Sequence, residues 1–119
     1  MMRDHTKLRA FELADEVAIM IYRITRNFPK EEVYGLTSQL RRAAVSVPSN
    51  IVEGCARESR VEYLRFLEIS FGSLKEAHYQ LHLAFRLGYA DQSDFSEWEV
   101  KLNEAEKVLS SLIRSQRVQ

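Results

Sequence analysis

At 119 residues, the chain is long enough for one domain built around one core. Apolar residues make up 45% and charged residues 29%, a globular balance that excludes a disordered linker or tail. Lys+Arg and Asp+Glu both total 17, so the net charge is zero; a dedicated polyanion binder would be strongly basic, and neutrality leaves self-association unopposed.

The apolar spacing predicts four helices. The first spans about residues 7–27, with Leu8, Phe11, Ala14, Val17, Ile21, Ile24 and Phe28 recurring at three- and four-residue steps on one face. Thr6 is its expected N-cap. Pro29 biases the residue before it out of the helical region and ends the helix, and Gly35 marks the next boundary. The second helix spans about 36–57, with the stripe Leu40, Ala44, Val47, Ile51 and Cys55. The third spans about 60–87. Ser59 and Glu62 have the spacing of a capping box, the stripe is Leu64, Leu67, Phe71, Leu74, His78, Leu81 and Phe85, and Gly88 is placed to cap the C-terminus. The fourth spans about 93–115, starting from Asp91 or Ser93. It carries Phe95, Trp98, Leu102, Ala105, Leu109 and Leu112, and the polar tail after Ile113 is expected to fray.

Matched helices with heptad stripes and short connections describe an all-α, antiparallel up-and-down four-helix bundle that occupies residues 1–119 as a single domain. No stretch alternates as a strand does, and no segment repeats. Four glycines and two prolines over this length favour long helices.

One proline falls inside a helix. In "SQLRRAAVSVPSNIVEG", Ser38 to Gly54, Pro48 removes a backbone donor and clashes with the carbonyl four residues back, at a cost of about 3 kcal/mol. A Pro-kinked second helix is therefore expected. Ala43, Ala44, Ser46, Ser49 and Gly54 leave the helix thin, and thin surfaces admit another backbone; Ser49 or Asn50 can bond the backbone groups that Pro48 loosens or reach a neighbouring helix, and Glu53 adds a charge that must be solvated or paired. The bend either wraps the helix around its own core or forms a seam for a second subunit, where a fixed wedge angle closes a ring.

The chemistry-bearing residues do not assemble a site on paper. His78 and His82 stand four apart on the third helix, but two ligands fall short of a structural metal set. No Glu stands three before a His, as a dimetal bundle requires. Cys55 lies on the inward stripe and reads as a small buried hydrophobe. A lone cysteine forms no intrachain disulfide, which fits a reducing compartment. Glu31 and Glu32 read as solvated loop charge. No Gly-rich phosphate loop, nucleophile elbow or Cys-x-x-Cys pair occurs. The expectation is a non-enzymatic protein without catalytic residues, cofactor or metal. The N-terminal stretch lacks the apolar segment of a secretory signal and no run is long enough to span a bilayer, so a cytoplasmic location without a membrane partner is expected.

Charge is uneven along the chain. Between Leu36 and Arg60 four arginines, Arg41, Arg42, Arg57 and Arg60, face two acids, Glu53 and Glu58. From Asp91 onward four cations face six acids. The four arginines are the candidate contacts for nucleic acid or a protein partner, since the planar guanidinium bonds two phosphate or carboxylate oxygens at once. On a neutral chain such contacts give weak, salt-sensitive binding, unless repeated around an assembly.

"GLTSQLRRAAVSVPSNIVEGCAR" and "EYLRFLEISFGSLKEAHYQLHLAFRLGY", with "FELADEVAIMIYRITRNFPKEEVYGL" before them, closely resemble the bacterial four-helix-bundle family of 23S ribosomal RNA intervening-sequence proteins. Gln39 to Arg42 and Pro48 to Gly54 match the family's Gln-Leu-Arg-Arg and Pro-Ser-Asn-Ile-x-Glu-Gly elements without departure. The resemblance implies a cytosolic helical subunit that assembles into a homopentameric ring, with no catalytic residues to carry over. It also implies kinship to the accessory proteins of diversity-generating retroelements, which bind a reverse transcriptase and nucleic acid. That branch is strongly basic and this chain is neutral, so the resemblance speaks for the ring more than for nucleic-acid binding.

Overall fold

The second and third helices approach each other through small side chains, and the rest of the chain packs around that contact. The computed structural model describes residues 3–118. Four helices, α1 (Arg9–Thr25), α2 (Leu36–Cys55), α3 (Arg60–Arg86) and α4 (Gln92–Arg117), are joined by short connections, with 3₁₀ turns at His5–Lys7 and Lys30–Glu32. No strand occurs among the described residues. The domain is a rod of 46 × 25 × 19 Å, and its long axis matches the ~40 Å that the 27 residues of α3 span at about 1.5 Å each.

The helix ends follow local chemistry. Asp91 caps α4 by accepting from the Asp94 amide at 2.8 Å. Ser59 caps α3 by accepting from the Glu62 amide at 3.1 Å, one half of the expected capping box. Thr6 does not cap α1. Instead Asp4 accepts from the Thr6 amide and hydroxyl and starts the 3₁₀ turn, and the chain passes through extended Leu8 before α1 begins. Gly88 terminates α3 at φ +85°. The amides of Gly88 and Tyr89 bond the carbonyls of Phe85 and Ala84, each at 3.0 Å, so the last turn of the helix is closed by the chain that leaves it.

The tail of α4 does not fray. It stays helical to Arg117 because it is tied to α3: Arg117 bonds Glu68 at 2.7 Å, and Arg60 donates to the Gln116 carbonyl at 3.0 Å.

The core stripe of α2 is as expected, with Leu40, Ala44, Val47, Ile51 and Cys55 all buried. On α3 the stripe is rotated by one residue. Leu67, Leu74 and Leu81 are buried as expected, but Tyr63, Ser70, Ala77 and Ala84 take the central line, while Leu64, Phe71 and Phe85 flank it half-buried. The physical reason is the close α2–α3 approach. A hydrogen atom stands where a Cβ on Gly54 would lie 2.9 Å from the Phe66 Cβ and 3.4 Å from the Tyr63 carbonyl oxygen. Buried Ser70 donates across the seam to the Val47 carbonyl at 2.7 Å. Beyond Tyr63 at its N-terminal end only short side chains fit that line, and the bulky ones move to its edges.

Two glycines therefore have separable roles. Gly88→Ala meets no neighbouring atom and should lose about 1–2 kcal/mol from left-handed backbone strain alone. Gly54→Ala forces α2 and α3 apart and should lose about 1–3 kcal/mol through overpacking. Urea unfolding midpoints measure both, and wild-type stability in Gly54→Ala would mean that the seam has slack.

Candidate functional site

The residues singled out from Ser46 to Gly54 are placed on several surfaces. α2 is helical from Leu36 to Cys55, through Pro48. Ser46 and Asn50 face α3: the Asn50 amide donates to the Ser46 carbonyl at 2.8 Å and to its hydroxyl at 2.9 Å, and that hydroxyl meets Ser73 at 2.8 Å. Gly54 is buried against Tyr63 and Phe66. Pro48 is half-buried, and Ser49 and Glu53 are exposed. Glu53 bonds Arg57 one turn later at 3.2 Å; it does not bond Asn50.

The four arginines divide into two groups. Arg41 lies against α1. Its Nε donates to the Thr25 hydroxyl at 2.8 Å, and its guanidinium sits 4.7 Å from the centre of the Tyr22 ring. Arg42, one residue on, is exposed on the α3 side, in a groove of about 370 Å³ shared with Tyr34, Gln39, Ser46, Ser73 and Glu76. Arg57 pairs with Glu53 and stacks over Phe66 at 4.9 Å, leaving its buried Nε without a partner. Arg60 is exposed and reaches the Gln116 carbonyl. Arg41 stands 14 positions before Cys55, the last residue of α2, about 21 Å at 1.5 Å per residue, and Arg57 lies beyond that end, so one short ligand does not span both groups.

The histidines serve packing. His78 bonds Glu106 through Nδ1 and Glu99 through Nε2, and Glu106 also takes Lys75 at 3.2 Å. This cluster ties α3 to α4. His82 stacks on Phe95, with ring centres 5.5 Å apart. Among the described residues no group of three or more His, Cys, Asp or Glu is placed to hold a metal ion. Cys55 is 1% exposed, and burial pushes its thiol up, away from the reactive thiolate. Burial likewise pushes its neighbour Tyr63 up to about 12. The Arg3 guanidinium lies 4.0 Å over the Tyr63 ring and donates to the Arg57 carbonyl at 2.7 Å.

α4 exchanges charges of both signs with its neighbours. Glu104 bonds Arg9 at 2.8 Å, Lys101 bonds Glu16, and Glu99 and Glu106 hold His78. α4 thus offers acids to Arg9 and Lys75 and cations to Glu16 and Glu68, so these pairs join it to α1 and α3 without cancelling its excess of acid.

Two features were not singled out by sequence reasoning. Glu32 is no solvated loop charge. It accepts from the Leu36 amide at 3.0 Å, which caps α2, and from the Tyr89 hydroxyl at 2.6 Å. It thereby fastens the α1–α2 connection to the α3–α4 connection. A signal was available in its position four residues before the first turn of a helix whose N-cap, Gly35, has no side chain. The second feature is a groove of about 380 Å³ at the same end of the rod. It is walled by Phe28, Pro29 and Val33 and edged by Arg26, Lys30 and Arg41. The unmatched cations at 23, 26 and 30, recurring at three- and four-residue steps, were its trace in the sequence.

These features define an all-helical domain of four helices whose polar clusters brace the packing, with nothing that indicates catalysis. The sequence matches the 23S rRNA-intervening sequence protein family over residues 6–111, and the chain belongs to that family. No curated protein matches it. Among solved structures it is similar to a protein with unknown function from the S23 ribosomal protein family of Bacteroides thetaiotaomicron VPI-5482, with TM-score 0.80 and 23% sequence identity over 88% of this chain and 95% of that one. At that identity the likeness speaks for the fold. Among the described residues no helix is long and apolar enough to cross a membrane.

The Glu32 contact makes a pH-dependent prediction. Hydrogen bonds from Tyr89, then from the Leu36 amide, hold its carboxyl below the usual glutamate range. A depressed carboxyl adds stability above its unfolded pKa of about 4.3 and loses it as pH falls through the lower folded value. Glu32→Gln should therefore melt below the wild type at pH 7, and the gap should close towards pH 3. A gap of constant size across that range would refute the role of the charge.

Proposed function

We propose that the protein is a non-enzymatic, self-associating subunit: an antiparallel up-and-down bundle that assembles into a homopentameric ring and acts as a scaffold for a protein or ribonucleoprotein partner. Partner positions fall on one helix as they rise on its neighbour, which supports the antiparallel order: Arg41 at the start of α2 bonds Thr25 at the end of α1, Ser46 meets Ser73 while Gly54 meets Tyr63, Arg9 meets Glu104 while Glu16 meets Lys101, and Arg117 at the end of α4 meets Glu68. Pro48 gives α2 no donor for the Ala44 carbonyl, which supports reading it as a bent helix.

The observation that carries self-association is an exposed apolar face. Ile19 and Tyr22 stand one turn apart on α1, Val45 and Val52 stand two turns apart on α2, and all four are exposed. Arg41, lying over Tyr22 and one turn before Val45, joins the two strips. Apolar side chains contiguous across two helices are the kind of surface that protein contacts cover. Neutral net charge adds no repulsion between copies.

The alternative is an RNA- or DNA-binding accessory factor that uses Arg41, Arg42, Arg57 and Arg60, a reading that the family's name invites. Zero net charge and the pairing of Arg57 with Glu53 within the subunit weigh against it. Filter binding in ~0.15 M salt distinguishes the two: submicromolar retention of RNA that falls steeply with added salt would favour the accessory factor.

Light scattering tests the ring. The expected mass is five times the 13.9 kDa subunit, and Ile19→Asp with Val45→Asp should reduce it to the single chain while the helical circular dichroism is kept. A wild-type monomer at high micromolar concentration would sink the proposal.

A further inference from the structure

The groove at the junction of α1 and α2 lies outside the seam and the α4 clasp, and shares only Arg41 with the apolar α1–α2 strip. We infer that it docks an acidic peptide segment carrying one large apolar side chain.

Its rim is cationic and unmatched. Among the described residues, Arg26, Lys30 and Arg41 make no ion pair, and neither does Arg23, which edges the adjoining notch with Arg26. The acids of the same loop are placed elsewhere: Glu32 is committed to Tyr89 and the Leu36 amide, and Glu31 does not line the groove. Arg41 is set in advance. With Nε on the Thr25 hydroxyl, one Nη2 hydrogen directed to the Tyr22 carbonyl at 3.4 Å, and the Tyr22 ring beneath it, its guanidinium cannot swing freely. Its remaining N–H groups are left to donate to a carboxylate, whose two oxygens accept from a guanidinium fork in two-point geometry.

The walls are apolar. Phe28 is buried beneath the groove, while Val33 is 52% exposed on its side. Thr37 lines it too, 93% buried by its 7% exposure, and its hydroxyl makes no hydrogen bond among the described residues. A volume of about 380 Å³ admits one large side chain. An apolar wall beneath a basic rim matches an apolar residue flanked by carboxylates, the charge-complementary pattern of protein recognition. It does not match a nucleic acid. The one aromatic ring in the groove, Phe28, packs on Tyr89 with ring centres 5.4 Å apart and is not presented for base stacking.

Fluorescence anisotropy on the full chain, in ~0.15 M salt where exposed charges are screened beyond about 8 Å, tests the inference. Three labelled probes are compared: an acidic octapeptide with a central phenylalanine, the same peptide with glycine at that place, and an oligouridylate of equal charge. The phenylalanine peptide should saturate and bind at least about tenfold tighter than the glycine peptide. The double variant Arg26→Glu with Lys30→Glu should lose about tenfold or more, as should Val33→Asp. All three positions are exposed, so circular dichroism and assembly mass should be unchanged. If a variant fails to fold, the comparison of the two peptides on the wild-type protein still decides. No saturation by millimolar protein, equal binding of the two peptides, or tighter binding of the oligouridylate would each overturn the inference.

Discussion

The structure depends on how closely α2 approaches α3. At Gly54 there is no room for a Cβ, and at Ser70 a side-chain hydroxyl reaches the backbone of the other helix. Both facts describe a seam that is backbone-to-backbone in character. Such proximity removes large side chains from the line of contact, which is why Tyr63 is the only bulky aromatic on the central line of α3 and sits at its N-terminal end. It also makes the polar bonds across the seam short, 2.7 Å from Ser70 to the Val47 carbonyl and 2.8 Å between Ser46 and Ser73. A carbonyl has two lone pairs, so Val47 can accept from Ser70 while still serving its own helix. The chain Asn50–Ser46–Ser73 adds a second polar link one residue earlier on α2 and three later on α3. With polar groups satisfied inside a narrow contact, the seam has little freedom to slide.

α4 is held by different means. It buries Phe95, Leu102, Ala105, Leu109 and Ile113, and its register is read by charge: Arg9, Glu16, Glu68, Lys75 and His78 each meet a specific partner on it. Exposed pairs of this kind contribute little stability one by one, about 0–1 kcal/mol each. Their value lies in orientation, since apolar side chains alone would tolerate a slip of one turn. The half-buried Glu106, shared by Lys75 and His78, is the member least able to do without its partners.

Four helices, their connections and the buried stripe of α2 were legible in the sequence because periodicity and caps act locally. Gly88, Ser59 and Asp91 did what their positions implied. The stripe of α3 was misplaced by one residue because hydrophobicity alone prefers Leu64, Phe71 and Phe85 to Tyr63, Ser70 and Ala84. What decides between them is the distance to α2, a tertiary quantity. Thr6 was displaced as a cap by Asp4 for a similar reason: Arg3, held on Tyr63 and the Arg57 carbonyl, sets the chain's entry before α1 begins. The tail beyond Ile113 looked polar enough to fray, and its partners, Glu68 and Arg60, lie some fifty residues away in sequence. Of the groove beside Pro29 only the run of cations left a trace in the sequence, because Phe28 and Val33 meet Arg41 only once α1 and α2 are folded together.

The same reasoning separates the residues that carry structure from those left for partners. Within Ser46–Gly54, the atoms that face α3 are occupied, so an external contact there is confined to Ser49, the flank of Pro48 and the exposed valines on either side. Arg41 and Arg57 resemble free cations in the sequence, yet one is pinned by Thr25 and the other by Glu53 and Phe66. Pinning has opposite consequences in the two places. Arg57 meets its own carboxylate and has its charge answered. Arg41 is oriented by a hydroxyl, a carbonyl and an aromatic face, none of which is an anion, so it stays positively charged and correctly aimed beside Arg26 and Lys30. A cation that the fold positions but does not neutralise is where an acidic partner gains most, because the entropy of ordering the side chain has already been met in folding.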